Sequence, residues 1–460
     1  MIAPLRSLAA RGRIAVLAAV AGALLAMTAA PLQDARAKIF DPTSFTLDNG
    51  LQVVVVTNRR APIVTQMLWY KVGSADEPRG KSGMAHVLEH MMFKGTEAYP
   101  DGKFSELVAR NGGQENAFTS YDFTGYYQTM ARDRLELIMK LEADRMTNLV
   151  LKPEDVRTER QVVMEERRSR VENEPSGQLS EMANASLYLH HPYGTPVIGW
   201  TNEILSITAE DMRSFYETWY APNNAVLVIA GDVTAEEVRP LAEKYYGPIP
   251  RAEVPPRDRV EEPPQSAPRR VELESPRVRQ PSLSIRYLAP SYNTAEDAAT
   301  PYALQVLSEV LGGGPTSRLY RTLVVEEALA VSAGSWYSPN ALDTSDFGFY
   351  ISPRPDVELD KAEEALRAEI ADLLENGVSD TEVAQAKERL RADTVYAQDS
   401  VNTAPRVIGR ALASGQTIAD VEAWPARIAE VTPAEVEAAA KQVLDPKSSV
   451  TAVLQSEPTS

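Results

Sequence analysis

Two of the chain's four histidines, His86 and His90, stand four residues apart with Glu89 between them, in the stretch GMAHVLEHMMFKGT (83–96). On a helix that spacing places both imidazoles on one face, a turn apart, where two ring nitrogens can meet one metal ion. Glu89 borders the same face. The order H-x-x-E-H reverses the commoner H-E-x-x-H zinc helix. The plain alternative is a polar helix face holding a structural His–Glu pair. Two histidines do not complete a catalytic zinc site. Three protein ligands and an open position are expected, and two histidines with a glutamate are one such set. His190 and His191 lie beside a proline about 100 residues on and read as loop residues, so a carboxylate is the expected third ligand. The stretch TERQVVMEERRSR (158–170) reads as helical and offers Glu159, Glu165 and Glu166. At 100° per residue Glu159 and Glu166 fall within about 20° of each other, while Glu165 falls well off that line. One of the aligned pair could ligate and the other support a histidine from behind. The alternative is a solvated, charged helix face.

Positioning such groups takes a scaffold, and the chain is long enough to build one. Its 460 residues are 44% hydrophobic and 24% charged, in keeping with two to four soluble domains with cores of their own. It has no cysteine, which removes thiolate nucleophiles and cysteine-bound metals. A formal net charge of -17 argues against nucleic acid as a partner, because no basic stripe is present to face phosphates. Residues 1–37 differ from the rest. Arg6, Arg11 and Arg13 precede an uncharged stretch from Ile14 to Ala30, and Ala35-Arg36-Ala37 supplies an A-x-A site. This is the order of a secretory signal peptide. The expected address is the bacterial periplasm or the exterior, with no stable membrane span after cleavage and an anchored form if cleavage fails. The uncharged stretch is at the short limit for a span.

Pro248 to Pro268 contains seven prolines in 21 residues and reads as a stiff, extended linker. The expected organisation is a signal peptide over 1–37, a metal-binding domain over 38–250, a linker over 251–268 and a second domain over 269–460. The two domains look like copies. HVLEHMMFKG (86–95) matches QVLSEVLGGG (305–314), and NAFTSYDFTGYY (116–127) matches NALDTSDFGFY (340–350). LKPEDVRTERQVVMEE (151–166) matches VSDTEVAQAKERLRAD (378–393), and NNAVLVIAGDV (223–233) has a weaker echo in SSVTAVLQ (448–455). The segments 51–56, 223–230 and 283–288 read as strands rich in β-branched residues. Residues 356–377 read as a helix stopped by Gly377. The fold class is α+β: two homologous domains, each a mainly antiparallel sheet with helices packed on one face.

GSADEPRGKSGMAHVLEHMMFKGT, then GGQENAFTSYDFTGYY, then ERQVVMEE together resemble the pitrilysin/insulinase family of zinc peptidases. The resemblance runs from about Phe45 to the C-terminus and is closest to the short-chain branch that includes the mitochondrial processing peptidase. It implies one zinc ion per chain on His86, His90 and Glu166. Glu159 is then the first glutamate of the family's E-x₆-E pattern, and Glu89 the general base on zinc-bound water. It implies an endopeptidase acting on small or unfolded peptides in a closed chamber. It also implies that Asn116, Ala117 and Phe118 belong to a sheet edge that pairs with the peptide backbone. Manganese or cobalt remain open for such a ligand set. A non-catalytic scaffold or peptide-binding subunit of the same fold is the competing expectation.

In the second copy Gln305, Ser308, Glu309 and Asp393 stand where His86, Glu89, His90 and Glu166 stand, so no metal site is expected there. The family pattern also has an arginine and a tyrosine seven residues apart that grip the substrate backbone. Here LVVEEALAV (323–331) puts Val324 and Val331 at those positions, and valine cannot donate a hydrogen bond. Family members of this branch close as two chains. The expectation is therefore a heterodimer with a related subunit that keeps the Arg/Tyr pair, and a homodimer only as the lesser alternative.

Overall fold

The internal duplication can be followed strand by strand. The protein is described here by a computed structural model covering residues 38–457, in which two sheets form. The first takes β1 (Thr43–Thr46), β2 (Gln52–Thr57), β3 (Ile63–Tyr70), β4 (Gln114–Thr119), β5 (Thr124–Ala131) and β6 (Ala225–Gly231), in the order β1-β2-β6-β3-β5-β4. The second takes β7 (Arg269–Glu274), β8 (Ser282–Ala289), β9 (Ala330–Tyr337), β10 (Ser345–Pro353) and β11 (Ser449–Gln455), in the order β7-β11-β8-β10-β9. Without β1 the two orders are the same. β2 lies parallel to β6 and β7 parallel to β11, and every other neighbour is antiparallel. The α+β class and the two homologous domains follow.

Each half packs its own helices on one face of its sheet. Val53, Val55, Leu68, Leu227 and Ile229 of the first sheet bury against Leu88, Met91, Ile138, Met212 and Val238. The other face is covered too. Val54, Val56, Met67, Trp69 and Val228 meet Ala404, Ile408, Ala411 and Leu412 of helix Thr403–Ala413, which belongs to the second half. Gly409 permits the close approach, since a Cβ there would lie 2.0 Å from Trp69 Nε1. In return, helix Pro175–Leu187 of the first half lays Leu179 and Ala183 against Ala452 and Leu454 of β11. The expectation of helices on one face therefore holds for each half alone, and the halves exchange one helix to cover the other face.

Local boundaries shift for identifiable reasons. The sheet edge expected at Asn116, Ala117 and Phe118 is the strand Gln114–Thr119, which stops there because Ser120 N–H bonds Phe123 O at 2.9 Å and closes the turn into β5. The helix expected over 158–170 begins at Pro153, whose missing N–H suits a first turn. It widens into a π turn over Arg168–Glu172. The helix expected over 356–377 spans Leu359–Asn376, and Gly377 ends it with a positive φ of 74°. The match of 340–350 to 116–127 holds for β10, but Asn340 and Leu342 lie in a longer turn before it.

Residues 250–266 form neither helix nor strand, as their prolines demand. They are nonetheless tied down. Arg257 donates to Asp122 O at 2.8 Å. The buried Arg259 guanidinium pairs with Asp76 at 2.8 Å, with Asp343 at 3.0 Å and with Asp122. Glu262 accepts from the backbone N–H groups of Leu189, His190 and His191. No helix among the described residues is long and apolar enough to cross a membrane. The expected signal peptide, 1–37, lies outside the described residues.

Candidate metal centre

The helix Met84–Met91 opens at Gly83, whose φ of 87° is left-handed. A Cβ there would meet Ile198 O at 2.6 Å, so only glycine fits. Glycine offers no capping side chain. The cap comes from upstream: Glu77 accepts from Ala85 N at 2.7 Å and from Gly83 N at 3.0 Å. Burial pushes the Glu77 carboxyl well above its ordinary range, and the two N–H groups pull it back. The helix so started presents His86 and His90 with ring centroids 5.0 Å apart and planes near perpendicular.

The second helix, Pro153–Arg167, brings Glu166 to them. Glu166 Oε2 lies 3.4 Å from His86 Nε2 and 3.6 Å from His90 Nε2. These residues are the one metal-capable cluster of three or more among the described residues, with ligand atoms all within 4.8 Å of one another. Tetrahedral zinc with bonds of about 2.0–2.1 Å has ligand–ligand edges of roughly 3.4 Å, so these separations fit such an ion. Glu166 Oε2 is buried with no hydrogen-bond partner, and so is His86 Nδ1. A buried carboxylate oxygen with no donor, facing two imidazole nitrogens, is a set that a divalent cation would satisfy. Glu166 Oε1 is separately held by Arg170 at 2.6 Å. Glu165 is exposed and pairs with Arg168.

Glu159 stands behind His90. Its Oε2 lies 3.2 Å from His90 Nδ1, and its Oε1 lies 2.5 Å from Lys94 Nζ. With the proton on Nδ1, His90 Nε2 is left as a lone pair directed at Glu166. The His90 hydrogen bond, helped by the Lys94 ammonium, outweighs burial and lowers the Glu159 pKa. Burial, with His90 and Arg170 nearby, lowers the His86 pKa to about 3, so this imidazole is neutral, the form that ligates. Burial works to lower His90 as well, but Glu159, Glu89 and Glu166 outweigh it and raise it.

Glu89 turns toward the sheet. Its Oε2 accepts from Thr119 Oγ1 at 2.6 Å, and burial raises its carboxyl above the ordinary range. Thr119 ends β4, the edge of the first sheet, which pairs only with β5. Asn116 and Ala117 lie on this strand, and Asn116 Oδ1 accepts from Ala117 N at 2.8 Å, so that N–H is outside the ladder. Phe118 turns its ring to the other face, edge-on to Trp69 at 5.0 Å. The described structure thus brings His86, His90, Glu166, Glu159 and Glu89 together and sets Asn116–Phe118 on the adjoining edge. Sequence spacing does not reveal Glu77, Lys94, Thr119 or Arg170. Of these only Thr119 leaves a trace, since strand alternation puts it on the face opposite Phe118.

The other two histidines lie elsewhere. His190 is exposed, and His191 is buried 3.3 Å from Asp343. In the second half, Glu309 pairs with Arg389 at 2.5 Å, and Gln305 bonds Tyr292 and Trp424. Val324 is buried, and Val331 is exposed at the start of β9.

Comparison with known proteins agrees with this picture. Residues 52–200 match the family described as insulinase (peptidase family M16). Residues 206–390 match the one described as peptidase M16 inactive domain. The zinc protease PqqE of Helicobacter pylori is 36% identical over 348 residues, 75% of this chain and 76% of that protein. An uncharacterized zinc protease of Streptomyces coelicolor is 30% identical over 413 residues, 89% of this chain and 88% of that protein. Among solved structures, a protease from Helicobacter pylori superposes with a TM-score of 0.84 at 29% identity, covering 90% of this chain and 99% of that one.

Proposed function

The chain belongs to the M16 (insulinase) family of peptidases, and we propose that it is a zinc-dependent endopeptidase that cleaves small or unfolded peptides within a closed chamber. The observation that supports this best is the meeting of His86 Nε2, His90 Nε2 and Glu166 Oε2 from two helices, with Glu166 Oε2 otherwise unsatisfied. Bound there, the metal supplies Lewis acidity toward water and the scissile carbonyl. The remaining work falls to side chains. Glu159 fixes the tautomer and orientation of His90. Glu89, raised by burial and anchored by Thr119, takes a proton from the attacking water and returns it to the leaving amine. The free edge of β4, through Asn116, Ala117 and Phe118, receives the peptide as an added strand and reads its backbone.

Val324 and Val331 cannot supply donors, so a related partner chain with the Arg/Tyr pair would complete the site in a heterodimer. The leader over 1–37 would carry the chain to the periplasm or beyond. The match of residues 206–390 to a domain described as inactive favours a second reading, a non-catalytic scaffold or peptide-binding subunit.

One experiment separates them. The chain from residue 38, alone and with partners captured from its host, is assayed on a quenched peptide with and without a chelator. The peptidase reading expects chelator-sensitive cleavage and one zinc per chain. Glu89→Gln should keep the zinc and lose about 10²–10⁴-fold in kcat. Zinc binding without cleavage in either preparation would leave the scaffold reading. Wild-type cleavage by Glu89→Gln would remove the base assignment.

A further inference from the structure

Beside the end of β4 lies a cavity of about 630 Å³ between the two halves. Phe118 and Tyr121 form one wall, Asn340 and Asp346 face them, and Arg406 and Arg410 come from helix Thr403–Ala413. Four residues apart, the two arginines project from one face of that helix. The Arg406 guanidinium lies over the rings of Tyr127 at 5.1 Å and Phe118 at 6.0 Å. Among the described residues neither guanidinium has a carboxylate or hydrogen-bond partner. Like charges one turn apart weaken a helix, and a chain with 64 acidic residues against 47 basic ones offers ample partners. The acids of the cavity are otherwise engaged. Asp122 pairs with Arg259 and accepts from Tyr193 at 2.7 Å, and Asp346 accepts from Trp336 Nε1 at 2.9 Å.

Strand alternation connects this cavity to the metal centre. Thr119 holds Glu89, and Phe118, one residue earlier, faces the cavity side. A peptide laid on the free edge of β4 with its reacting bond near Glu89 sends alternate side chains to that same side. A guanidinium stacked over aromatic rings keeps its edge N–H groups free for bidentate contact with a carboxylate.

We propose that this cavity is a subsite for a carboxylate of the bound peptide, held by Arg406 and Arg410, so that peptides bringing a carboxylate to it are the preferred substrates. The inference rests on the edge-strand peptidase reading given above. The carboxylate belongs either to an Asp or Glu side chain or to the peptide's C-terminus.

The test uses peptide twins that differ only in Glu or Gln at each position in turn, with amidated ends, and a Gln peptide with a free C-terminus. Each is measured for kcat/KM and, on the Glu89→Gln protein, for equilibrium binding. Either the Glu twin at one position or the peptide with a free C-terminus should be favoured about tenfold, and that ratio should fall toward one in Arg406→Gln/Arg410→Gln. Arg410→Glu should turn the preference toward a Lys twin. Preference for the free C-terminus over the internal Glu assigns the carboxylate to the chain end. A Glu/Gln ratio near one together with no gain from the free C-terminus in the wild type, or a preference of either kind that survives the double substitution, overturns the subsite. Failure of cleavage with the binding preference intact would count against the peptidase reading alone.

Discussion

At the scale of single residues, the centre divides into groups set by spacing and groups set by packing. His86 and His90 are four apart and Glu159 and Glu166 seven apart, so each pair shares a helix face wherever a helix forms. That much was legible in the sequence. The assignment of Glu166 to the imidazole nitrogens and Glu159 to the far side of His90 needs the crossing of two helices, which no spacing encodes. Thr119 is further out of reach, since it meets Glu89 only because the hairpin β4–β5 packs beside helix Met84–Met91. Among the described residues its hydroxyl is the one side-chain donor to Glu89, and under the proposed mechanism it would hold the carboxylate in the orientation proton transfer needs. Thr119→Val removes the hydroxyl at almost constant volume. The expected result is a fall of about tenfold in kcat, with zinc content unchanged and recovery in Thr119→Ser. Stopped-time assays with metal analysis on the same samples check it, and an unchanged kcat in the valine variant would assign the hydroxyl no role.

At the scale of elements, the helix starts show the same division. Helix Asp380–Ala397 is preceded by Ser379, whose hydroxyl accepts from Glu382 N at 3.2 Å while Glu382 accepts from Ser379 N at 2.9 Å. This S-x-x-E capping box can be read from sequence. The metal helix has no such signal, because Gly83 caps nothing and Glu77 reaches its first turn from six residues upstream. Two donors with no other acceptor make that carboxylate matter more than an ordinary cap. Glu77→Ala should cost about 1–2 kcal/mol, read as a lower urea midpoint. Since both imidazoles ride on this helix, the variant should also surrender zinc to a competing chelator at lower concentration than the wild type. A shifted midpoint with unchanged zinc retention would show that the helix start and the metal centre are mechanically independent.

At the scale of the whole molecule, the question is what fixes one half against the other. The exchange of helices was half legible. QVVVVT and AVLVIAG are apolar without alternation, the mark of a strand covered on both faces, but nothing in them names helix Thr403–Ala413 as the cover. The apolar contacts of Ile408 and Leu412 with the first sheet contribute to the attraction, since burying such side chains is worth about 1.5–3 kcal/mol each. Apolar contacts are tolerant of sliding, whereas the Arg259 fork is not. It joins Asp76 and Asp122 of the first half to Asp343 of the second from within the proline-rich linker. Removing it abandons buried carboxylates, which costs about 3–5 kcal/mol where a pair is fully buried. Burial already raises the Asp76 carboxyl, and Arg259 is what pulls it down. In Arg259→Met that restraint is gone and the folded-state pKa climbs further. A carboxyl raised on folding binds more protons in the native than in the unfolded state above its unfolded pKa, so stability is regained as pH falls. Arg259→Met should therefore unfold at lower urea than the wild type at pH 7, with the gap narrowing at pH 5. Arg259→Lys should fall between, because one ammonium cannot serve three carboxylates. A gap of equal size at both pH values would mean that lost packing, and not abandoned charge, is what the substitution reveals, and the linker arginine would then be filler between the halves and not the bond that sets their register.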